Sequence, residues 1–395
     1  MELLQGRIRD YAWGSRTALA QLQGRPVPSA GPEAELWLGA HPGDPGTVRR
    51  DGAPASLVDV FAADPRRWLG DGVIDRFGSR LPFLLKVLAP EEPLSLQAHP
   101  DAEQARAGYA AELADPERAH RNYVDPYHKP ELLVAVSPFE ALCGFRDPKL
   151  SADLVDALGV PALDPIVAAL RAGTDGLRDA VHALLTWPVD ERPALVAAVV
   201  AADVADPYVQ AAGLARHLAQ RYPADPGVLV ALLLNQVALA PGEAIWMPAG
   251  NLHAYLRGVG VEILAASDNV LRGGLTPKPV DVRELLRVLR FEVLADPVVG
   301  PVPVAPGVVT WPVPVDDFAL HGVRLDGAVR SVRIEVPGPR IVLCVRGEVT
   351  AADSGGTVRI GPGLAAIGAA DGGPLTLTGA ATATAEVYVA SVGLG

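Results

Sequence analysis

The chain has 395 residues, more than one hydrophobic core usually serves, and we therefore expect two or three domains. Its formal net charge of -12 opposes attraction to phosphate backbones, which argues against nucleic acid as a partner. No run of about 18 apolar residues lacks a charge, Pro or Gly, so no membrane span is predicted, and without a secretory signal pattern a cytoplasmic location is expected.

Residues 1–150 consist mostly of short apolar runs separated by Pro and Gly, the pattern of β-strands. One helix is predicted after Pro100, because Asp101 can cap its first turn and Gln104 stands at the reciprocal position of a capping box. The clearest strand patterns in this part occupy residues 34–38, 81–89 and 132–136.

Residues 151–225 change character, since apolar residues recur there at helical spacing with Pro at the joints. Strand patterns return after residue 226, a short helix is predicted at Val282–Val288, and the last part is rich in Val, Gly and Pro. The last part also lacks closely spaced His ligands, so no metal is expected in it. The predicted domains are a discontinuous catalytic barrel (1–150 and 226–299), a helical insertion (151–225) and a C-terminal small β-barrel (300–395).

Polar and apolar residues alternate just before Pro100, so a strand there would present Ser95, Gln97 and His99 on one face. A Gln and a His two positions apart on a strand can reach the same ion, and His is the commonest metal ligand. The alternative is an ordinary solvated strand face.

A cation and an anion, Lys129 and Glu131, share one face at the start of the next apolar run. Beside a metal, Glu131 could be a ligand and Lys129 a contact to a phosphate or hydroxyl group. Without a metal, the two would form a surface ion pair, which is the commoner role of such residues.

Residues 241–253 combine a turn, a strand, a Pro/Gly bend and a single histidine, His253. This arrangement resembles the second motif of the cupin barrels, in which the histidine lies opposite ligands from an earlier motif. The resemblance implies that His253 completes a set with Gln97, His99 and Glu131.

Four motifs in this order resemble the type I mannose-6-phosphate isomerases: residues 81–101, 127–136, 241–255 and 267–281. Residues 11–15 and 34–42 are also similar to that family, whereas the helical part and the last 95 or so residues match in layout only. The resemblance implies a mainly β fold of cupin-type jelly-roll barrels with an inserted all-helical domain.

The same resemblance implies an enzyme that interconverts mannose 6-phosphate and fructose 6-phosphate through a cis-enediol intermediate. One zinc ion per chain is implied, bound by Gln97, His99, Glu131 and His253. Nitrogen and oxygen ligands suit zinc, although iron fits the ligand types as well.

Isomerisation needs a group that stabilises the negative charge of the enediol and a base that moves the proton. Arg272 is the leading candidate for the first role because its guanidinium is always charged. The sequence does not choose the base among Glu262, Lys129, Lys278 and Asp268, or His99 if it leaves the metal.

A substrate phosphate requires local cations in this acidic protein. The candidates are Lys86, Lys129, Arg272 and Lys278, with a hydroxyl hydrogen bond from Ser95. Trp13 and Tyr255 could line the sugar pocket, although core packing explains each ring equally well. His41 and His128 are interpreted as structural residues or as neighbours of the ligands.

Two alternatives remain at this stage. A cupin oxygenase could hold Fe(II) at the same ligands, since a fold does not fix a function, but it would have no use for the cation cluster. A non-catalytic sugar-phosphate-binding protein would bind its ligand without turnover. The expected partners are small sugar phosphates, with no nucleic acid and no membrane; a monomer is expected, with an oligomer left open.

Overall fold

The computed structural model describes residues 1–115, 117, 120–380 and 383–394. Up to residue 147, short strands alternate with short helices. The strands are β1 (Glu2–Leu4), β2 (Arg7–Arg9), β3 (Glu35–Leu38), β4 (Thr47–Arg50), β5 (Ala53–Ser56), β6 (Phe83–Leu88), β7 (Gln97–Ala98), β8 (Glu131–Ala135) and β9 (Phe139–Phe145). The helices are α1 (Ala18–Leu22), α2 (Leu57–Ala63), α3 (Pro65–Leu69), α4 (Asp71–Phe77) and α5 (Ala102–Leu113).

Helix α5 begins where the sequence predicts. The Asp101 carboxylate accepts hydrogen bonds from the backbone N–H groups of Glu103 and Gln104, and the Gln104 side chain accepts one from the Asp101 N–H. The predicted capping box is thus confirmed. The expectation of a single helix in this part is wrong, because α1 to α4 also occur; with five to seven residues each, they are too short to show a helical repeat.

The described elements between residues 148 and 231 are all helical. They are α6 (Pro148–Ala157), a 3₁₀ turn (Pro161–Leu163), α7 (Asp164–Arg171), α8 (Thr174–Leu185), α9 (Arg192–Ala201), α10 (Val209–Arg221) and α11 (Gly227–Ala231). We call this part the helical segment. Several of its helices begin with Pro in the first turn, where the missing N–H group costs nothing.

Strands return after the helical segment and continue to the end of the described chain. The first group is β10 (Leu234–Leu239), β11 (Ala244–Met247), β12 (His253–Arg257), β13 (Gly260–Ala265), β14 (Leu271–Arg272), α12 (Val282–Val288) and β15 (Val298–Val299). The second is β16 (Val302–Ala305), β17 (Val308–Thr310), β18 (Ala319–Leu325), β19 (Ser331–Ile334), β20 (Arg340–Arg346), β21 (Val349–Asp353), β22 (Gly356–Ile360), β23 (Ala365–Gly368), a 3₁₀ turn (Ala370–Gly372), β24 (Leu375–Gly379) and β25 (Ala385–Ser391). The predicted helix α12 is confirmed.

The strands form four main antiparallel sheets. The first sheet has the order β10-β9-β12-β7-β14, and the second has the order β15-β11-β8-β13-β6-β3-β2. The third is β1-β23-β20-β25-β18-β17-β16 and the fourth is β19-β24-β21-β22, with β4 and β5 as a separate pair. Strand β1 therefore belongs to the third sheet, where Leu3 pairs with Ala366.

Of the five apolar clusters in the described part of the chain, the four larger ones connect these layers. The helical segment packs on the first sheet, and the first and second sheets share a core that includes Phe139, Met247 and Tyr255. The second and third sheets share a core with α2 to α4, and the third and fourth sheets enclose a separate one. Because side chains alternate along a strand, Ile341 of β20 joins one core of the third sheet and Val342 the other.

The predicted fold class needs one correction. Helices account for 28% of the structure and strands for 31%, so the protein is mixed rather than mainly β. Within the described residues the antiparallel sheets stay open and none closes into a barrel. None of the helices in the described part of the chain has the length and apolarity required to cross a lipid bilayer.

Candidate active site

Two histidines and one glutamate meet between the first and second sheets. His99 follows β7, Glu131 opens β8 and His253 opens β12, so the second sheet supplies the carboxylate and the first sheet supplies both imidazoles. His99 Nε2 lies 3.3 Å from Glu131 Oε1, and His253 Nε2 lies 3.2 Å from Glu131 Oε2. All three side chains are buried, and their ligand atoms lie within 4.8 Å of one another.

Backbone carbonyls orient both imidazoles. The Nδ1–H group of His99 donates to Asn269 O at 2.7 Å, and that of His253 donates to Asn251 O at 3.1 Å. Each Nε2 atom therefore presents a lone pair to the interior, and neither has a hydrogen-bond partner. The two nitrogen lone pairs and the carboxylate oxygens repel one another at these distances unless a cation lies between them. A metal ion would fit this position.

The protonation states also suit a metal. Burial lowers the pKa of His99 to about 4, so its imidazole is neutral near pH 7. Burial opposes the ionisation of Glu131, but the charge of Lys129 holds the pKa of this carboxyl well below its ordinary value. A neutral imidazole and an ionised carboxylate are the forms in which these groups bind metals.

From the sequence, Lys129 and Glu131 could form either a surface ion pair or part of a metal site, and the structure decides against the surface ion pair. Lys129 Nζ lies 3.0 Å from Glu131 Oε1, and both side chains are buried. The pair is therefore part of the interior of the site. Gln97 lies next to this cluster, because its backbone pairs with His253 on one side and with Arg272 on the other.

A second buried polar chain extends from the cluster along the second sheet. Lys86 Nζ lies 3.5 Å from Glu262 Oε2 and 3.6 Å from Glu35 Oε2, and the Tyr255 hydroxyl donates to Glu262 Oε1 at 2.7 Å. Burial and the nearby charge of Glu131 raise the pKa of Glu262 to about 7. This carboxyl group therefore changes its protonation state near neutral pH.

These groups line a cavity of about 600 Å³. The predicted site residues other than His99 and His253 line it: Trp13, Lys86, Ser95, Gln97, Lys129, Glu131, Tyr255, Glu262, Asp268, Arg272 and Lys278. His99 and His253 both contact Glu131, which lines the cavity. Among the described residues, neither Arg272 nor Lys278 is paired with a carboxylate, and burial lowers the pKa of Arg272. The cavity thus contains two cations that are available to an anionic ligand.

Residues 1–148 match the family model described as phosphomannose isomerase type I, catalytic domain. The mannose-6-phosphate isomerase of Escherichia coli (strain K12) is 38% identical over 392 residues, which cover 96% of this chain and 97% of that protein. The chain belongs to the type I phosphomannose isomerases. The mannose-6-phosphate isomerase of Bos taurus is 32% identical and covers 87% of each chain.

Solved structures of phosphomannose isomerases extend the match to the whole fold. A mutant of the enzyme from Salmonella typhimurium aligns with a TM-score of 0.88 at 34% identity and covers 100% of both chains. A crystal structure of mannose 6-phosphate isomerase bound with zinc and yttrium aligns with a TM-score of 0.86 at 35% identity, again over 100% of both chains.

His41, interpreted from the sequence as a structural residue or a neighbour of the ligands, lines the cavity of this phosphomannose isomerase. His41 Nε2 lies 3.2 Å from Asp268 Oδ2, and its Nδ1 accepts a hydrogen bond from the Gly43 N–H at 3.2 Å. Burial opposes the ionisation of Asp268, yet His41 keeps the pKa of this carboxyl below its ordinary value. The sequence feature that pointed to His41 is the stretch 34–42, which is similar to the family and contains this residue.

Arg221 and Tyr222, at the end of α10, also line the cavity, and no sequence signal pointed to them. Asn269 is a further missed residue. Its carbonyl orients His99, and its amide donates to Asp125 O at 2.8 Å and Tyr127 O at 2.9 Å. Asn269 therefore connects a metal-binding side chain with the loop that leads to Lys129.

Proposed function

We propose that this chain is a zinc-dependent isomerase that interconverts mannose 6-phosphate and fructose 6-phosphate. The observation that carries the proposal is the set of inward-facing metal-binding atoms at the wall of a cavity that also contains unpaired cations. Relatives that span almost the whole chain bear the name of this activity.

The residues that would hold the zinc ion are Gln97, His99, Glu131 and His253. Support comes from the unpaired Nε2 atoms of both histidines and from the position of Gln97 between β12 and β14. When bound, zinc would supply a Lewis acid that polarises the sugar oxygens. A single carboxylate in the set leaves the ion with a net positive charge for that purpose.

The cations fall into two groups with different proposed roles. Lys86 and Lys129 are already paired with carboxylates, so they orient the charged groups of the site and can donate hydrogen bonds to sugar hydroxyls. Arg272 and Lys278 are free for the anionic parts of the substrate. We assign Lys278 and Ser95 to the phosphate, and Arg272 to the negative charge that develops on the enediol.

Glu262 is the base that the geometry supports best. In open-chain mannose 6-phosphate it would accept the proton from C2 and return it to C1, while the proton of the C2 hydroxyl passes to the C1 oxygen. A carboxylate whose pKa is about 7 is well matched to this task near neutral pH. Asp268, which also lines the cavity, is a weaker base because His41 stabilises its ionised form.

Trp13 lines the cavity and is proposed to pack against the sugar, whereas the Tyr255 hydroxyl is proposed to orient Glu262. We also propose the predicted division into a discontinuous catalytic part (1–150 and 226–299), a helical part (151–225) and a C-terminal part (300–395). Strand β1 belongs to the catalytic part in this division, although it pairs with β23 of the C-terminal part. The cytoplasmic location and the monomeric state stay predictions.

A coupled assay tests the proposed function. Mannose 6-phosphate is supplied, and the fructose 6-phosphate formed is measured before chelation, after chelation and after the addition of zinc. We expect activity that chelation abolishes and zinc restores. Binding of the sugar phosphate without turnover would refute the isomerase and support a sugar-phosphate-binding protein. Oxygen consumption that depends on Fe(II), without formation of fructose 6-phosphate, would instead support an oxygenase.

A further inference from the structure

The loop between α5 and β8 carries Lys129 and ends at Glu131, and it is attached on two sides. On one side, Asn269 and Ser267 bind its backbone and side chains; the Ser267 hydroxyl donates to Asp125 Oδ1 at 2.9 Å. These contacts come from the turn between β13 and β14, within the part of the chain that also supplies His253.

On the other side, the loop contacts the C-terminal part. His128 Nε2 donates to Asp317 Oδ2 at 3.0 Å, and Asp317 belongs to the turn just before β18. Asp317 is only 4% exposed, and His128 is its one hydrogen-bond partner in the described part of the chain. A buried carboxylate is costly to desolvate, and the hydrogen bond from His128 offsets part of this cost, so the two residues hold each other in place.

A stacked pair lies beside this contact. The Arg80 guanidinium lies 3.6 Å from the ring centroid of Tyr127, the residue before His128. Burial lowers the pKa of Arg80, while the charge of Asp317 favours its cationic form. Asp317 therefore contacts the imidazole of His128 and lies near enough to Arg80 for its charge to act on the guanidinium.

Other contacts between this turn and the catalytic part do not reach the site. Asp316 pairs with Arg76 of α4 at 2.9 Å on the surface, and the Trp311 indole donates to the Gly242 carbonyl at 3.1 Å. Asp317 differs because its partner lies one residue from Lys129 and three residues from Glu131.

We propose that Asp317 is a positioning residue of the active site, which holds the loop through His128 so that Lys129 and Glu131 point into the cavity. The C-terminal part then contributes to catalysis although none of its described residues lines the cavity. The proposal rests on the proposed isomerase function, and it assigns a role to a segment in which no metal site was predicted.

The test compares Asp317→Ala and Asp317→Asn with the matched control Asp316→Asn, with kcat and KM for mannose 6-phosphate as the measured values. We expect Asp317→Ala to lower kcat by about 10- to 100-fold, because small misplacements of reacting groups cost rates of this order. KM should stay within about threefold. Asp317→Asn should be milder, since its amide oxygen can still accept a hydrogen bond from His128, and Asp316→Asn should match the wild type.

Two further readouts separate positioning from a loss of fold. In a double-mutant cycle, Asp317→Ala should add little to the effect of His128→Asn, because both changes remove the same contact. Hydrogen exchange at residues 124–129 should be about tenfold faster in Asp317→Ala, with exchange in β20 and β25 unchanged.

A kcat within twofold of the control together with unchanged exchange at residues 124–129 would overturn the proposal. Faster exchange across the whole C-terminal part, with additive effects in the double-mutant cycle, would also overturn it and indicate a role in folding only. If the wild type does not isomerise mannose 6-phosphate, the proposed function fails, and the exchange comparison still decides whether Asp317 holds the loop.

Discussion

The molecule contains two stacks of antiparallel sheets, the first and second sheets and the third and fourth sheets, and their interiors differ in polarity. Between the first and second sheets lie buried charged or metal-binding groups, including His99, Glu131, Lys86 and Glu262. Between the third and fourth sheets the core is mainly apolar, with residues such as Leu325, Val342 and Leu377, and its buried charges are those of the Arg340–Asp353 pair and the N-terminus in the described part of the chain. The architecture is similar, so the chemistry of the first stack comes from its side chains and not from its fold.

The difference has an energetic meaning. An apolar interior stabilises the folded chain, at roughly 25 cal/mol per Å² of buried apolar surface. Buried ionisable groups are costly to desolvate, and pairs such as Lys129 and Glu131 compensate for this cost only in part. Substitutions in the two stacks should therefore have different effects. Those in the first stack should mainly reduce activity, and those in the second should mainly reduce the free energy of unfolding.

The largest effect is expected for Glu131→Gln, which removes the charged member of the metal cluster. Loss of a Lewis acid worth several kcal/mol should lower kcat/KM by about 1000-fold or more, and zinc should no longer co-purify in stoichiometric amount. The coupled assay and a metal determination check this. Glu348→Gln, which removes a surface partner of Arg359, is the control and should behave as the wild type.

Leu325→Ala tests the other stack. Leu325 is fully buried between the third and fourth sheets, so the cavity left by truncation should lower the free energy of unfolding by about 2–5 kcal/mol. Urea unfolding measures this change. At temperatures where the variant is folded, its kcat should equal that of the wild type. A large drop in kcat would contradict the claim that the second stack contributes to stability and not to activity.

Glu262→Gln should lower kcat by about 100-fold or more while KM changes little, because a general base contributes to the chemical step. The amide keeps the hydrogen bond to Tyr255 possible, so the melting temperature should stay near that of the wild type. If kcat is unaffected, Glu262 is not the base and Asp268 becomes the next candidate.

The pH dependence gives a milder test of the same residue. The pKa of Glu262 is raised to about 7, so its carboxylate is available as a base above this pH and is lost as the pH falls below it. We therefore expect the kcat of the wild type to decline on the acid side with a midpoint near pH 7. A midpoint near pH 4, the ordinary range of a carboxyl group, would contradict this assignment.

The smallest effect is expected for Lys278→Gln. Lys278 lines the cavity from an exposed position, so the loss of one charged contact to the phosphate should raise KM for mannose 6-phosphate by about tenfold, with kcat nearly unchanged. Inhibition by inorganic phosphate should weaken in parallel. An unchanged KM would show that the phosphate binds elsewhere in the cavity.

The first stack was more predictable from the sequence than the rest. Alternation before Pro100 predicted Gln97 on the side of the site, and the resemblance of residues 241–253 to a cupin motif implied His253 as a further ligand, which pairs with Gln97 from the neighbouring strand β12. These signals are local, since each lies within a few residues of a strand end. The positions of β3, β6, β8 and α12 followed from equally local patterns.

Residues that act across long sequence separations escaped prediction. Asp317 contacts His128 from 189 positions away, and nothing near Asp317 in the sequence distinguishes it from its neighbour Asp316. The pairing of β1 with β23 and the placement of Arg221 at the cavity are equally non-local. Helices α1 to α4 were missed for a different reason, since their length leaves too few turns to show a periodicity.

The most direct test of the account is the location of zinc in crystals of the wild-type protein, measured by anomalous diffraction at the zinc edge. We predict one strong peak per chain, about 2.0–2.2 Å from the Nε2 atoms of His99 and His253 and from a Glu131 carboxylate oxygen, with Gln97 as the fourth protein ligand. An active protein whose zinc peak lies away from these residues, or is absent, would contradict the account.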